Sequence, residues 1–358
     1  MKLAFSILTI SMMLSIFNVR VYKNVNLSSE NKSNKLYLFT IFLILIVLAG
    51  CRVGFVDTST YRGMVERLGT DYANAFNSIL PTEIGFNLFA IFLNNICNNS
   101  QFFVFVSTTI TLLFVFYKIY ISSTDKSFSV LLFLFLFFYT YINGIRQAIA
   151  AAILFCFYDK IKSNNLTMII VCFSLSFFHS SALLMIPLLY MVNGRVFNNK
   201  LKILLLVALC SIFIPNITDQ LFDLILNDKY LETLDIMGKG TSFIRVIVNA
   251  TPCILGLWYY SNKKPSLESE EVKMLNLLLV DFAIVIFSIG STYFARMSIY
   301  TSIFSIIYIP YLVRKIFRKN SYLLTKYIII SVYLVYFIYQ TLVFYNFGYL
   351  REFTLFFM

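Results

Sequence analysis

The chain alternates charge-free apolar runs with short charged connectors, and this limits the folds open to it more than any other feature. Runs without Asp, Glu, Lys or Arg occupy 3–19, 36–51, 84–117, 127–145, 147–158, 163–194, 203–218, 246–262, 297–313 and 327–350, and 274–295 carries a single charge, Asp281. A bilayer span takes about 20 mostly apolar residues, with a minimum of roughly 17. The composition agrees: 59% of residues are hydrophobic, 18% aromatic and 13% charged, and the mean hydropathy is +0.80. A soluble domain carries about 25% charged residues, so a soluble cytoplasmic enzyme is excluded. The reading is an all-α, polytopic integral membrane protein in which residues 1–358 form one membrane domain.

Two runs are too long for one ordinary span. Run 84–117 is interrupted by Asn94, Asn95, Asn98 and Asn99, which predicts a short interfacial or re-entrant helix over 84–96 and a span over 101–121. Run 163–194 divides at His179-Ser180-Ser181, giving helices near 165–178 and 181–193. The total is about 12 transmembrane helices, within a range of about 11–14. Lys and Arg accumulate in cytoplasmic loops. Placing connectors 20–35, 118–126, 159–162, 195–202, 263–273 and 314–326 inside assigns them 19 basic and 6 acidic residues. The net charge of +12 therefore reflects loop orientation, and nucleic acid is not an expected partner. The outer side then holds two long loops, 52–83 and 217–242. The amino-terminal run 3–19 lacks a clear small-residue cleavage site and reads as a span. GxxxxGK[ST] and GxGxxG are both absent, so ATP-driven transport and cytoplasmic nucleotide-sugar chemistry have no support. The six cysteines show no CxxC spacing and read as packing residues, without a disulfide frame or a zinc site.

Lysine and arginine divide unequally between the two sides. The inner connectors hold 15 of 18 lysines but only 4 of 11 arginines. Orientation bias treats the two alike, whereas the guanidinium fork binds phosphate in bidentate fashion. The outer face thus reads as built for an anionic group, most simply a lipid-linked phosphate or diphosphate. Arg146 and Arg296 are the main candidates, each at an expected outer helix end between apolar runs, where an arginine near the membrane is functional by default. Arg52 and Arg62 are further candidates. For Arg67, Arg245 and Arg351, pairing with outer acids or lipid head groups is the simpler reading.

His179 is the only histidine. An imidazole titrates at about 6.5 when free, which suits proton transfer; a helix-end hydrogen bond is the plainer alternative. Of the acids in the first outer loop, Asp57 and Glu83 lie closest to the expected membrane surface. Asp281 reads as a buried carboxyl bonded to a neighbouring hydroxyl, or as a proton relay.

Four segments recur in a recognisable order: CRVGFVDTSTYRGMVERL, EIGFNLFAIFLNN, NGIRQAIAAAILF and FHSSALLMIP, followed by ARMSIYTSIF. Arg52, Asp57 and Tyr61 fit an R…D…Y pattern, and Glu83, Gly85 and Phe86 fit E-x-G-F. The whole resembles the EpsG-type family of polysaccharide polymerases, similar in role to Wzy-type O-antigen polymerases, most clearly over 50–190. That resemblance implies a metal-independent glycosyltransferase of GT-C-like architecture in the bacterial inner (cytoplasmic) membrane, with its active site facing the periplasm and no cofactor. It would transfer a growing glycan from undecaprenyl diphosphate to a lipid-linked repeat unit, and a chain-length regulator is an implied partner. The base candidates are His179, Asp57 and Glu83. The diphosphate would lie on Arg146, Arg296, Arg52 and Arg62, and the sugars near Tyr61, Gln147 and Asn143. A lipid-linked oligosaccharide flippase and an O-antigen ligase are the alternatives.

Overall fold

The computed structural model describes residues 6, 9–10, 27–77, 82–213, 242–263, 269–344 and 354–355. The expected loop 217–242 and the expected span 3–19 lie almost wholly outside these residues, as does Arg351. Among the described residues the chain is helical throughout apart from one short strand pair. In chain order the elements are α1 (Leu27–Gly50), β1 (Arg52–Gly54), α2 (Thr58–Leu68), a 3-10 turn (Tyr72–Ala75), α3 (Ile84–Ile96), α4 (Ser100–Ser122), α5 (Lys126–Leu136), α6 (Phe138–Asn143) and α7 (Ile145–Ile161). There follow α8 (Asn165–Ser176), a 3-10 turn (Ser180–Leu184), α9 (Met185–Val192), α10 (Asn199–Ser211), α11 (Phe243–Lys263), α12 (Ser269–Phe287), α13 (Thr292–Ser302), α14 (Ser305–Ile316), α15 (Lys319–Tyr339), a π-helical turn (Gln340–Phe344) and β2 (Thr354–Leu355). β2 pairs antiparallel with β1, with Arg52 opposite Leu355.

The breaks follow local chemistry. Asn99 caps α4 by accepting from the Gln101 N–H at 2.8 Å. Asn164 caps α8 through the N–H groups of Leu166 and Thr167. A short polar side chain at this position satisfies backbone donors that the first turn leaves open. The long runs therefore divide at the expected places, into α3 and α4 and into α8 and α9.

The count of twelve spans is not carried by the described helices. Three are long and apolar enough to cross a bilayer, Ser100–Ser122, Phe243–Asn262 and Ser321–Val343, or four if Phe294–Ser302 and Ser305–Ile316, bent by 51°, form one span. The difference arises because the apolar runs are broken into shorter helices: at Phe137 between α5 and α6, at Gly144 before α7, and at Phe177–His179. Further apolar helices, such as Lys35–Gly50, Lys126–Leu136 and Asn165–Ser176, fall short of that length.

Large apolar side chains face outward from the bundle, among them Leu36, Leu206, Ile254, Leu324 and Val335. The core of the bundle is aliphatic and aromatic, and several charged groups inside it are paired. Arg52 is completely buried. Its Nε donates to Thr58 Oγ1 at 3.1 Å and its Nη1 to Thr108 Oγ1 at 2.8 Å; the carbonyls of Ala49 and Ile142 accept further bonds. One guanidinium thus ties together the ends of α1 and α6, the start of α2 and the middle of α4. At the other end of the bundle, Lys118 pairs with Asp159 at 2.5 Å and Lys326 with Asp125 at 2.6 Å. The hydroxyls of Tyr259 and Tyr311 both donate to Glu271 there.

Arg52→Lys is expected to cost about 2–4 kcal/mol, because a single ammonium cannot replace a fork that joins four segments. Thermal unfolding of the detergent-solubilised protein checks this; an unchanged midpoint contradicts it.

Candidate active site

The first turn of α3 begins at Glu83, which sits at its N-cap position. A Cβ added at Gly85 would lie 2.9 Å from Phe177 Cβ and 3.1 Å from the Phe177 carbonyl oxygen. The absent side chain lets α3 approach the end of α8 closely, and the Phe86 N–H donates to the Phe177 carbonyl at 3.1 Å. This contact carries Glu83 to His179, two residues beyond Phe177.

Glu83 is buried, with 2% of its side chain exposed. One oxygen, Oε1, lies 2.6 Å from His179 Nδ1 and also faces the Ser180 N–H at 3.4 Å. The other, Oε2, takes a charged hydrogen bond from Arg146 Nη1. Burial alone would raise the Glu83 carboxyl. The His179 hydrogen bond and charge, the Arg146 charge and the Ser180 N–H outweigh it and hold the group below its ordinary value of 4.5. Glu83 is therefore ionised and can only accept, so the proton of the shared bond lies on Nδ1; in the neutral ring the lone pair is then on Nε2.

Arg146 lies in the first turn of α7, whose N-cap is Gly144. Its guanidinium lies over the rings of Tyr61 and Phe86, at 5.7 and 5.9 Å from their centroids, and its Nε donates to the Tyr61 hydroxyl at 3.4 Å. It stays partly exposed, at 21% of the side chain. Tyr61 is itself buried, so one of its faces serves the arginine.

Asp57 follows Val56, whose φ of 44° is unfavourable for a β-branched residue and costs on the order of 1–3 kcal/mol. The turn is held where the Asp57 N–H donates to Asn143 Oδ1 at 2.9 Å. Burial pushes the Asp57 carboxyl up, against the opposing pull of the Arg296 and Arg146 charges. Gln147 is buried and donates to the Arg296 carbonyl at 2.7 Å, while the Arg296 side chain is exposed. Asn143 and Gln147 thus position the chain segments that carry Asp57 and Arg296.

Glu83, His179 and Arg146 are brought into direct contact, and Asp57 lies within electrostatic range of Arg146 and of Arg296. Two candidates stand apart. The donors of Arg52 go to protein oxygens, as described above. Arg62 Nε donates to Ser100 Oγ at 3.2 Å, and Ser100 Oγ donates to Glu66 at 2.6 Å. Sequence reasoning missed the Phe86 ring beneath Arg146 and the contact between Tyr300 Oη and Ser181 Oγ at 3.2 Å. Phe86 was visible only as a motif letter, and Tyr300 carried no signal. Asp281 accepts from Thr301 at 2.7 Å and Ser302 at 2.6 Å, as a buried carboxyl bonded to hydroxyls.

The model of the EpsG family matches residues 35–353, most of the chain. The protein belongs to the EpsG family. Neither the curated proteins nor the solved structures contain a match. Membership fits an all-α membrane protein of the polysaccharide-polymerase type, and the segments that carry Glu83, Arg146, His179 and Arg296 all fall within the matched range.

Two outcomes follow. Gly85→Ala is expected to destabilise the protein by about 1–3 kcal/mol, because the facing atoms are backbone and Cβ; thermal unfolding measures this, and wild-type stability contradicts it. The depressed Glu83 value stabilises the fold fully above pH 4.5, and this contribution is lost as pH falls through the folded-state value. Glu83→Gln is expected to lack that acid-side loss. A pH series of unfolding midpoints tests this, and identical acid profiles for the two proteins contradict it.

Proposed function

We propose that this protein is a polysaccharide polymerase: a glycosyltransferase of GT-C-like architecture that moves a growing glycan from undecaprenyl diphosphate onto a lipid-linked repeat unit. The site faces the periplasmic side of the inner membrane in this reading. The observation that carries it is the carboxylate of Glu83 shared between His179 and Arg146, which sets a base and a cation side by side.

Glu83 holds the Nδ1–H of His179, and Nε2 removes the proton of the acceptor's sugar hydroxyl. The hydroxyl oxygen attacks the anomeric carbon of the donor glycan, and the bond from that carbon to the diphosphate oxygen breaks. Its electron pair leaves on the diphosphate, so negative charge grows there. Cations preorganised at that position lower the barrier most. Arg146 is partly engaged by Glu83 and Tyr61 but still exposed on one side, and Arg296 reaches the same region. Asp57 sets the local field between them and is a second candidate for the proton. A diphosphate leaving group is acidic enough to depart without a general acid. Twelve spans and metal independence belong to the same proposal, as do membrane lipids as its surroundings and a chain-length regulator as a partner.

The purified protein in proteoliposomes, given a lipid-linked repeat unit, is expected to yield longer glycans and free undecaprenyl diphosphate. A flippase would move the substrate without lengthening it, so unchanged glycan length overturns the proposal. Arg146→Lys is expected to slow polymerisation about 10–100-fold although the charge is kept, because the fork is lost. His179→Gln is expected to lower kcat by about 100-fold or more. Wild-type rates in either variant contradict the role given to that residue.

A further inference from the structure

A polar cavity lies beside α13. Its volume is ≈ 250 Å³, and its walls include Thr140, Arg245, Asn249, Ser298, Ser302 and Gln340. Arg245 and Asn249 are one turn apart on α11, so they share a face. Arg245 Nη2 donates to the Ala295 carbonyl at 3.4 Å and to Ser298 Oγ at 3.2 Å. Among the described residues its Nε and Nη1 make no hydrogen bond and no carboxylate forms an ion pair with it. No carboxylate is among the described residues that line the cavity. Asp281 stands behind the wall, buried; it accepts the Ser302 hydroxyl, and its charge and that of Arg245 attract each other.

Three observations identify the occupant. A half-buried guanidinium with two nitrogens that make no hydrogen bond among the described residues, an amide beside it and no acid among the described wall residues favour an anion. The cavity is smaller than the about 300–1,000 Å³ that encloses a whole drug-sized ligand, so it suits a head group with the rest outside. The residues next to Arg245, namely Phe243, Ile244 and Ile247, are exposed and apolar, which suits a hydrocarbon tail lying along α11. Gln340, also in the wall, is the first residue of the π-helical turn, a departure from α-geometry often found at functional sites.

The cavity and the Glu83 centre share one helix. Gln147 holds the Arg296 carbonyl of α13, and Arg245 holds the Ala295 carbonyl and Ser298 of the same helix. We propose that this cavity is a second anion site, which holds the diphosphate head group of the acceptor lipid while Arg146 and Arg296 hold that of the donor. The assignment rests on the polymerase reading, since only a reaction between two lipid-linked substrates needs two such sites at one end of the bundle.

The test is a calorimetric titration of farnesyl diphosphate into the full chain in detergent. Wild type is expected to bind two equivalents, Arg245→Ala one, Arg146→Ala one and the double variant none. Arg245→Lys, which keeps the cation and the space, is expected to weaken the second equivalent at least tenfold. If Arg245→Ala and Arg245→Lys bind as wild type does while Arg146→Ala loses an equivalent, the second site is overturned and the donor site stands. If Arg146→Ala binds as wild type does while Arg245→Ala loses an equivalent, the cavity stands and the donor assignment fails. Inorganic pyrophosphate separates the sources of the anion. Binding to the Arg245 site at least tenfold weaker than farnesyl diphosphate supports a lipid head group; equal affinity overturns the lipid and leaves a site for a free anion.

Discussion

The site depends on one buried carboxylate whose two oxygens are claimed by two different parts of the chain. Glu83 meets His179 through one oxygen and Arg146 through the other. An isolated carboxylate is costly to bury, and partners with good geometry reduce that cost. The same pairing that makes Glu83 tolerable inside the protein fixes the imidazole tautomer and places a guanidinium beside it. Here structural and chemical demands coincide, so the site-forming contacts also hold α3, α7 and the segment after α8 together.

Other buried polar groups reinforce this end of the bundle. Arg52 gathers the ends of α1 and α6 with α2 and α4, and Asn143, the last residue of α6, reaches from there to the Asp57 backbone. The strained backbone at Val56 persists because both of its flanks are tied down: the carbonyl of Phe55 accepts the Thr58 hydroxyl at 2.8 Å, and the Asp57 N–H is held by Asn143. At the opposite end, Lys118, Asp125, Asp159 and Lys326 form a separate set of ion pairs. Among the described residues, the Glu83 group and these ion pairs form two separate polar clusters.

Much of this was legible in the sequence. The divisions at Asn94–Asn99 and at His179 were readable because amides, hydroxyls and an imidazole interrupt apolar runs at helix ends. Glu83, Arg146 and His179 stood out because charged or titratable groups are scarce there and each lies beside a break. The role of Gly85 was not readable, since it comes from the close approach of Phe177, nearly a hundred residues later in the chain. Arg52 looked like a phosphate ligand for the same reason as Arg146, its charge at an outer helix end. Only tertiary contacts show that its donors reach Thr58, Thr108 and two carbonyls. Arg245 was expected to meet outer acids or head groups; its hydrogen bonds to Ala295 and Ser298 of α13 were not readable from the sequence. The span count exceeded what the described helices carry because an apolar run does not reveal where a helix bends within it.

The central claim is that Glu83 and His179 act as one unit. The direct measurement is a double-mutant cycle on the polymerisation rate, with Glu83→Gln, His179→Gln and both together in the full-length protein. If the carboxylate works through the imidazole, the second substitution costs less than about twofold once the first is present. Independent losses that multiply would contradict the account, because they would mean that the two side chains serve the reaction separately.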